Sequence, residues 1–143
     1  MNDEDPFRLE RFVEAQRGVM DGVMAELRAG RKTGHWIWFV FPQLAALGRS
    51  EMARHYGIGS IEEARAYLAH PVLGERLRAC VEAVLEVPGR SAEDVLGPVD
   101  AMKVRSSMTL FHRAAPDDPA FAAVLAKWYD GAPDTLTDEL LGG

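Results

Sequence analysis

The chain has little of several things that would place it in a particular class. It has one cysteine, Cys80, in 143 residues, so it can form neither an internal disulfide nor a cysteine cluster for a metal. No apolar run approaches the roughly 20 residues that a helix needs to span a bilayer. The sequence starts Met-Asn-Asp-Glu-Asp-Pro, which is acidic and unlike a secretory signal peptide. These absences predict a cytoplasmic protein that neither crosses a membrane nor depends on disulfides.

Basic residues are also too few for a general polyanion-binding protein. The 16 Lys and Arg residues are outnumbered by 22 Asp and Glu residues, which gives a formal net charge of −6. We therefore expect no nucleic-acid partner and no membrane partner, although a local basic patch is compatible with this total. His55, His70 and His112 lack ligand spacing with one another or with carboxylates, so no metal site is predicted. No Gly-rich phosphate loop occurs, and no cofactor is predicted.

The apolar pattern is that of one helical domain. Apolar residues recur at helical spacing along almost the whole chain, with Gly and Pro between segments and no repeat or long linker. The longest predicted helix covers residues 5–29, and Gly18 and Gly22 inside it favour a close crossing with another helix. We predict a single domain over residues 1–143. Its fold class is all-α: one orthogonally packed bundle of about seven helices around a buried aromatic segment.

That aromatic segment runs from Gly34 to Gln43 and holds two of the three tryptophans and two of the six phenylalanines. Each buried ring removes roughly 150–250 Å² from water, so the segment is expected at the centre of the bundle. Residues 36–41 have strand composition, but no other segment has the pattern of a partner strand. A lone strand would leave backbone groups unpaired in the core. We predict a short buried helix that ends before Pro42, with an extended conformation as the alternative.

The polar residues around this segment suggest a pocket. Aromatic walls that include Trp36 would stack a planar ring, while His35 and Gln43 would supply polar edges. The alternative is that Trp36 belongs to the core and His35 only covers its edge. Gln16 lies on the apolar stripe of the first helix, where a buried amide needs partners. It would bind the backbone of residues 36–43 or line the pocket.

A second polar cluster falls on the helix predicted over residues 101–115. Five side chains that can donate hydrogen bonds occur within seven residues: Lys103, Arg105, Ser106, Ser107 and Thr109. Such a group of donors suits a phosphate or a carboxylate. Serine is a poor helix former, so its presence here needs a reason. The structural alternative is that small hydroxyls allow close helix packing and bond back to the carbonyls of their own helix.

Four stretches give the chain a family resemblance. They are Asp-Pro-Phe through Phe-Val-Glu-Ala-Gln at 5–16, His-Trp-Ile-Trp-Phe-Val-Phe-Pro-Gln-Leu at 35–44, Ala-Arg-Ala-Tyr-Leu through Pro-Val-Leu-Gly at 64–74, and Lys-Val-Arg-Ser-Ser-Met-Thr-Leu-Phe at 103–111. On these residues the chain resembles a bacterial family of single-domain proteins known as domain of unknown function 1810. The resemblance implies a mostly helical, cytoplasmic bacterial protein. It implies no established activity.

A second similarity lies in the spacing of the apolar residues in three predicted helical segments, one of which is Phe12 to Gln16. Met108 to Phe111, followed by Phe121 to Leu125, is similar to a nucleotide-processing family that acts on riboflavin intermediates and ADP-ribosylated guanine. This similarity implies an ADP-ribose-like ligand. The glutamate-centred motif of that family has no clear counterpart here, so no catalytic residue is carried over.

These patterns favour a site for an anionic small molecule, phosphorylated or nucleotide-like, between residues 34–43 and residues 103–109. The predicted binding residues are His35, Trp36, Gln43, Lys103, Arg105 and Ser107. Any acid or base would come from His35 or Glu14, and the patterns specify no reaction. The alternative hypothesis is a non-catalytic protein-interaction module that presents aromatic residues as a partner patch.

Overall fold

The computed structural model describes residues 5–142. Within them the regular structure is ten α-helices, one 3₁₀ turn (Ala45–Leu47) and one isolated β-bridge. The helices are α1 (Glu10–Gln16), α2 (Met20–Ala29), α3 (Ile37–Val40), α4 (Glu51–His55), α5 (Ile61–Ala69), α6 (Leu73–Glu86), α7 (Ala92–Leu96), α8 (Pro98–Ala114), α9 (Pro119–Tyr129) and α10 (Thr135–Leu140). The all-α prediction is confirmed. None of these helices has both the length and the apolar character to cross a membrane.

The helix predicted over residues 5–29 is in fact two helices. Gly18 has a φ of +79°, which lies in the left-handed region, so the chain turns there and α2 starts afresh at Met20. Glycine reaches this region without the steric cost of a Cβ. A Cβ placed on Gly18 or Gly22 would meet no atom of another element within 4 Å. The expected close helix crossing at these two glycines is therefore wrong.

A close backbone approach occurs instead at Gly57, beside the β-bridge. A Cβ on Gly57 would lie 2.3 Å from the Cα of Ala45, so only glycine fits this position. The bridge consists of two hydrogen bonds: the amide of Ile58 donates to the carbonyl oxygen of Gln43 at 2.9 Å, and the amide of Ala45 donates to Ile58 at 2.8 Å. These bonds close residues 44–58 into a loop that carries the 3₁₀ turn and α4.

The aromatic segment lies in the core, as predicted. Residues 37–40 form the one-turn helix α3, which ends at Phe41 before Pro42, so the helical prediction holds over the extended alternative. Four of the six side chains from 36 to 41 are buried. Gln16 is buried on α1 and donates a 2.6 Å hydrogen bond to the carbonyl oxygen of Phe39. The buried amide therefore binds the backbone of the aromatic segment, which was one of its two expected roles.

The longest helix is α8, which packs against α3, α5, α7, α9 and α10. Its Phe111 lies between Tyr67 of α5 and Phe121 of α9, with ring centroids 5.3 and 5.8 Å apart. Phe12 of α1 meets Tyr67 edge to face at 5.1 Å. Each such ring pair contributes about 0.5–1.5 kcal/mol beyond the burial of its area. A continuous row of rings thus links α1, α5, α8 and α9.

A buried ion pair ties α1 to α5 and to the end of α4. Arg11 and Glu63 are 2.9 Å apart, with side chains that are 12% and 8% exposed. The guanidinium of Arg11 also donates to the carbonyl oxygens of His55 and Gly57, at 2.9 and 2.8 Å. Because the carbonyls at a helix end have no partner within the helix, Arg11 supplies one for α4.

Candidate functional site

A groove of about 480 Å³ lies between the first half of α8, the 3₁₀ turn with the start of α4, and the start of α10. We call it the α8 groove. Its lining residues are Gln43, Leu47, Arg49, Ser50, Ala53, Val99, Met102, Lys103, Ser106, Asp134 and Leu136. Its volume falls within the roughly 300–1,000 Å³ that is usual for small-molecule sites.

One stripe of α8 forms a wall of this groove. Val99, Met102, Lys103 and Ser106 stand at positions i, i+3, i+4 and i+7, so their side chains project from one face. The hydroxyl of Ser106 donates to the carbonyl oxygen of Met102 at 3.2 Å, one turn back on the same helix. The hydroxyl proton of Ser106 is therefore already donated within α8. The wall offers two exposed apolar side chains and the ammonium group of Lys103.

The opposite wall is the loop over residues 44–58 that the β-bridge closes. The β-bridge holds the backbone of Gln43, which lies at the start of this loop. Ser50 caps α4 by accepting a 3.1 Å hydrogen bond from the amide of Ala53. With α4 fixed at its start by Ser50 and at its end by Arg11, the side chain of Arg49 projects from an anchored turn.

The groove is positively charged although the chain is acidic. Within residues 5–142, neither Arg49 nor Lys103 has a carboxylate within 4 Å. The amide side chain of Gln43 likewise makes no hydrogen bond with the described residues. Asp134 also lines the groove, but its carboxylate caps α10 by accepting from the amide and hydroxyl of Thr137, at 2.9 and 2.5 Å. Arg49 and Lys103 contribute two positive charges and Asp134 contributes one negative charge, so the formal charge of the lining is +1.

Two other basic residues near α8 are held in ion pairs. Lys32 pairs with Asp100 of α8 at 2.7 Å, and Arg113 of α8 pairs with Asp138 of α10 at 2.8 Å. The hydrogen bond from Arg113 lowers the pKa of Asp138 below its ordinary value, which keeps that carboxylate charged. Among these cations Lys103 differs, because its charge is available to a ligand.

Lys103 separates the groove from the aromatic core. Its ammonium nitrogen lies 5.3 Å from the ring centroid of Trp38. A crevice of only about 10 Å³ adjoins the groove and is lined by Trp38, Phe41 and Tyr56 among others. Gln43, Ala53 and Lys103 border both spaces. The rings of the aromatic segment are therefore close to the groove but do not line it.

Two of the six predicted binding residues, Gln43 and Lys103, line this groove together. Trp36 does not: it is buried, and its indole nitrogen donates to Glu26 at 2.9 Å. Trp36 therefore belongs to the core, which was the alternative interpretation, and His35 is exposed beside it. The tryptophan that meets Lys103 is Trp38.

Arg105 and Ser107 also lie away from the groove. Arg105 is two residues beyond Lys103, about 200° around the helix, and donates instead to the carbonyl oxygen of Ala132 at 3.0 Å. Ser107 is fully buried, and its hydroxyl has no hydrogen-bond partner among residues 5–142. Thr109, like Ser106, bonds back to its own helix, at 2.8 Å. These two hydroxyls fit the structural alternative for the cluster.

The sequence reasoning missed Glu26, which holds the loop in front of the aromatic segment. One oxygen of its carboxylate accepts from the amides of Thr33 and Gly34, at 2.8 and 3.0 Å, as well as from the indole of Trp36. Burial acts to raise the pKa of Glu26, but the bonds from Gly34, Thr33 and Trp36 outweigh it and lower the pKa to about 2. No local pattern marks this residue, because its donors lie seven to ten positions further along the chain.

The candidate acids, bases and nucleophiles are not gathered at the groove. Glu14 is exposed and pairs with Arg17 at 2.7 Å, and neither Glu14 nor His35 lines the groove. Burial raises the pKa of the Cys80 thiol to about 12, so Cys80 is an unreactive core residue. Among residues 5–142, no three His, Cys, Asp or Glu side chains are grouped so as to hold a metal ion.

The comparison with known proteins gives the chain its family. Residues 6–141 match the family described as Protein of unknown function (DUF1810). The chain belongs to the DUF1810 family. This DUF1810 chain is similar to the conserved hypothetical protein Rv1873 from Mycobacterium tuberculosis, with 55% identity and a TM-score of 0.95 over 97% of this chain and 99% of that chain. Among curated proteins there is no significant match.

Proposed function

We propose that this DUF1810 protein binds an anionic small molecule, one that bears a phosphate or a carboxylate, in the α8 groove. One observation carries the proposal. Arg49 and Lys103, two cations without carboxylate partners among the described residues, line the same groove as the free amide of Gln43. The proposal keeps the anionic part of the ligand class that the sequence led us to expect.

The chemistry of the three side chains is complementary. The planar guanidinium of Arg49 can bind two oxygens of one phosphate or carboxylate, whereas the ammonium of Lys103 acts as a compact charge. The amide of Gln43 can donate to a third oxygen. Hydrogen bonds in which one partner is charged are about twice as strong as neutral ones. A wall that is held by the β-bridge and by Arg11 loses little freedom when a ligand binds.

A non-catalytic interaction module is the second candidate. The observation that favours it is the exposure of Val99, Met102 and Leu136 around the same groove, because clustered apolar side chains often mark a protein interface. We rank it second because the surface is concave and contains polar groups, whereas a partner patch is usually flatter. We propose no reaction for the groove. Its lining contains neither histidine nor cysteine.

A thermal-shift screen tests the first candidate. The panel is inorganic phosphate, sugar phosphates, nucleotides, ADP-ribose and small carboxylates. A ligand at a hundred times its dissociation constant stabilises the fold by about 2.7 kcal/mol, which is a measurable shift in melting temperature. We expect Arg49→Ala combined with Lys103→Ala to abolish the shift. Arg28→Ala, which removes an exposed arginine outside the groove, is the matched control. The proposal fails if no anion stabilises the protein or if the double variant keeps the full shift.

A further inference from the structure

The apolar lining of the α8 groove is aliphatic. It consists of Leu47, Ala53, Val99, Met102 and Leu136, and among residues 5–142 no aromatic ring lines the groove. Proteins bind planar groups such as nucleobases largely by stacking them on aromatic side chains. The nearest rings belong to the small crevice on the other side of Lys103. The groove as described thus offers a nucleobase no aromatic ring to stack on.

The groove combines polar side chains with exposed apolar ones. Gln43, Ala53 and Lys103 border the aromatic crevice next to α3, whereas Arg49, Val99, Met102 and Leu136 line the groove alone. These three apolar side chains are 64%, 71% and 50% exposed, and they are among the most exposed large apolar residues that the structure describes. Exposed apolar side chains that share one groove gain free energy when an apolar ligand covers them. The cations Arg49 and Lys103 and the amide of Gln43 therefore share one groove with three exposed apolar side chains.

We infer that the ligand of the α8 groove is a single-chain amphiphilic anion, with a phosphate or carboxylate head and an unbranched aliphatic tail. The inference rests on the proposed function and adds the class of ligand. The head binds Arg49, Lys103 and the amide of Gln43. The tail covers the exposed aliphatic side chains of α8 and α10. Because the side chains along this part are aliphatic and one is a flexible thioether, they can follow a chain that has no fixed shape.

A chain-length series measures the contribution of the tail. Each methylene that becomes buried tightens binding about threefold to fourfold. Isothermal titration calorimetry with ethyl, butyl, hexyl and octyl phosphate, each kept monomeric, should give dissociation constants that fall by roughly tenfold for every two carbons. The matching carboxylates, butyrate, hexanoate and octanoate, distinguish a phosphate head from a carboxylate head. Adenosine monophosphate and inorganic phosphate serve as anions without an aliphatic tail.

Two variants test which residues bind the head of the ligand and which bind its tail. Met102→Ser should reduce the gain per methylene and leave the affinity for inorganic phosphate unchanged. Lys103→Ala should weaken every member of the series by a similar factor, because all members share the head. Val19→Ser removes an exposed apolar side chain outside the groove and should change neither quantity. Met102 is largely exposed, so its replacement should leave the fold intact, which a thermal melt checks.

The outcomes separate this inference from the proposed function. If anions bind in a manner that depends on Arg49 and Lys103 but with no chain-length dependence, or if adenosine monophosphate binds most tightly, the aliphatic ligand is wrong and the proposed function stands. If octanol binds as tightly as octyl phosphate, the groove recognises only the tail and the proposed function is wrong. If no member of the series binds the folded protein, both are wrong.

Discussion

Lys103 lies over the ring of Trp38, with its ammonium nitrogen 5.3 Å from the ring centroid and no carboxylate within salt-bridge distance in residues 5–142. The ring face carries partial negative charge and holds the cation loosely, at about 0.5–1 kcal/mol for an exposed pair. A phosphate or carboxylate competes easily with a contact of that strength. We therefore expect Lys103 to exchange this contact for an anion more readily than Lys32 or Arg113, which pair with carboxylates.

Lys103 and Arg105 should therefore behave differently although they are two residues apart. Lys103→Ala should lower the free energy of unfolding by less than about 1 kcal/mol, because only the contact with Trp38 is lost. Arg105→Ala should cost about 1–2 kcal/mol, because it removes a hydrogen bond to Ala132 and packing against Tyr129. Urea denaturation of both variants measures the difference. A large loss for Lys103→Ala with none for Arg105→Ala would reverse the roles assigned here.

Disruption of the largely buried pair of Arg11 and Glu63 should cost more than disruption of an exposed ion pair. Glu63→Gln leaves the guanidinium of Arg11 buried without its counter-charge, and such a change costs about 3–5 kcal/mol. The matched control is the pair of Glu14 and Arg17, with side chains 58% and 68% exposed. There Glu14→Gln should cost less than about 1 kcal/mol. Equal losses in chemical denaturation for the two variants would show that burial does not govern these pairs.

Glu26 should make stability depend on pH in the acid range. Its pKa is lowered from 4.5 to about 2 in the fold, so the carboxylate stabilises the protein fully above pH 4.5. That stabilisation is lost as the pH falls from 4.5 through 2, since protons then favour the unfolded chain. After allowance for solvent screening, Glu26→Gln should cost on the order of 1–2 kcal/mol at pH 7. Denaturant unfolding at pH 7, 5 and 3 tests this, and a constant difference down to pH 3 would contradict it.

Gly57 and Gly22 should respond in opposite directions to alanine. Gly57→Ala places a Cβ 2.3 Å from the Cα of Ala45 and forces the β-bridge apart, which should cost at least about 1–3 kcal/mol. Gly22→Ala meets open space on helix α2 and should stabilise the protein by about 0.5–1 kcal/mol, because alanine is the better helix former. Thermal melts of the two variants provide the comparison. Because the bridge carries one wall of the groove, Gly57→Ala should also weaken anion binding.

Several features of the fold could be read from local sequence because their physical causes are local. The helix α3 follows from an apolar segment that has no partner strand and is stopped by Pro42. The break at Gly18 could not be read in the same way. A glycine inside a helical pattern costs only about 1 kcal/mol if the helix continues. Whether Gly18 instead turns to a positive φ depends on how α1 and α2 pack against the rest of the chain.

The site was predictable only in part, for a similar reason. Lys103 and Gln43 belong to the two segments that the sequence singled out, and they line one groove. Arg49 lies 54 positions before Lys103, so no local pattern connects them. Trp36 does not line the groove as predicted, because composition does not tell that its indole is held in the core by a hydrogen bond to Glu26.

The sequence by itself determined that this protein is a helical domain with a buried aromatic segment, because apolar period and chain-breaking residues act over a few positions. Only the tertiary structure decided which cations remain available. Lys32 and Arg113 pair with carboxylates and Arg105 donates to a carbonyl oxygen, whereas Lys103 has no such partner among residues 5–142. A charge is satisfied by whatever group lies within about 4 Å of it, and that neighbour usually comes from a distant part of the chain. The proposed anion site therefore depends on contacts that only the tertiary structure shows.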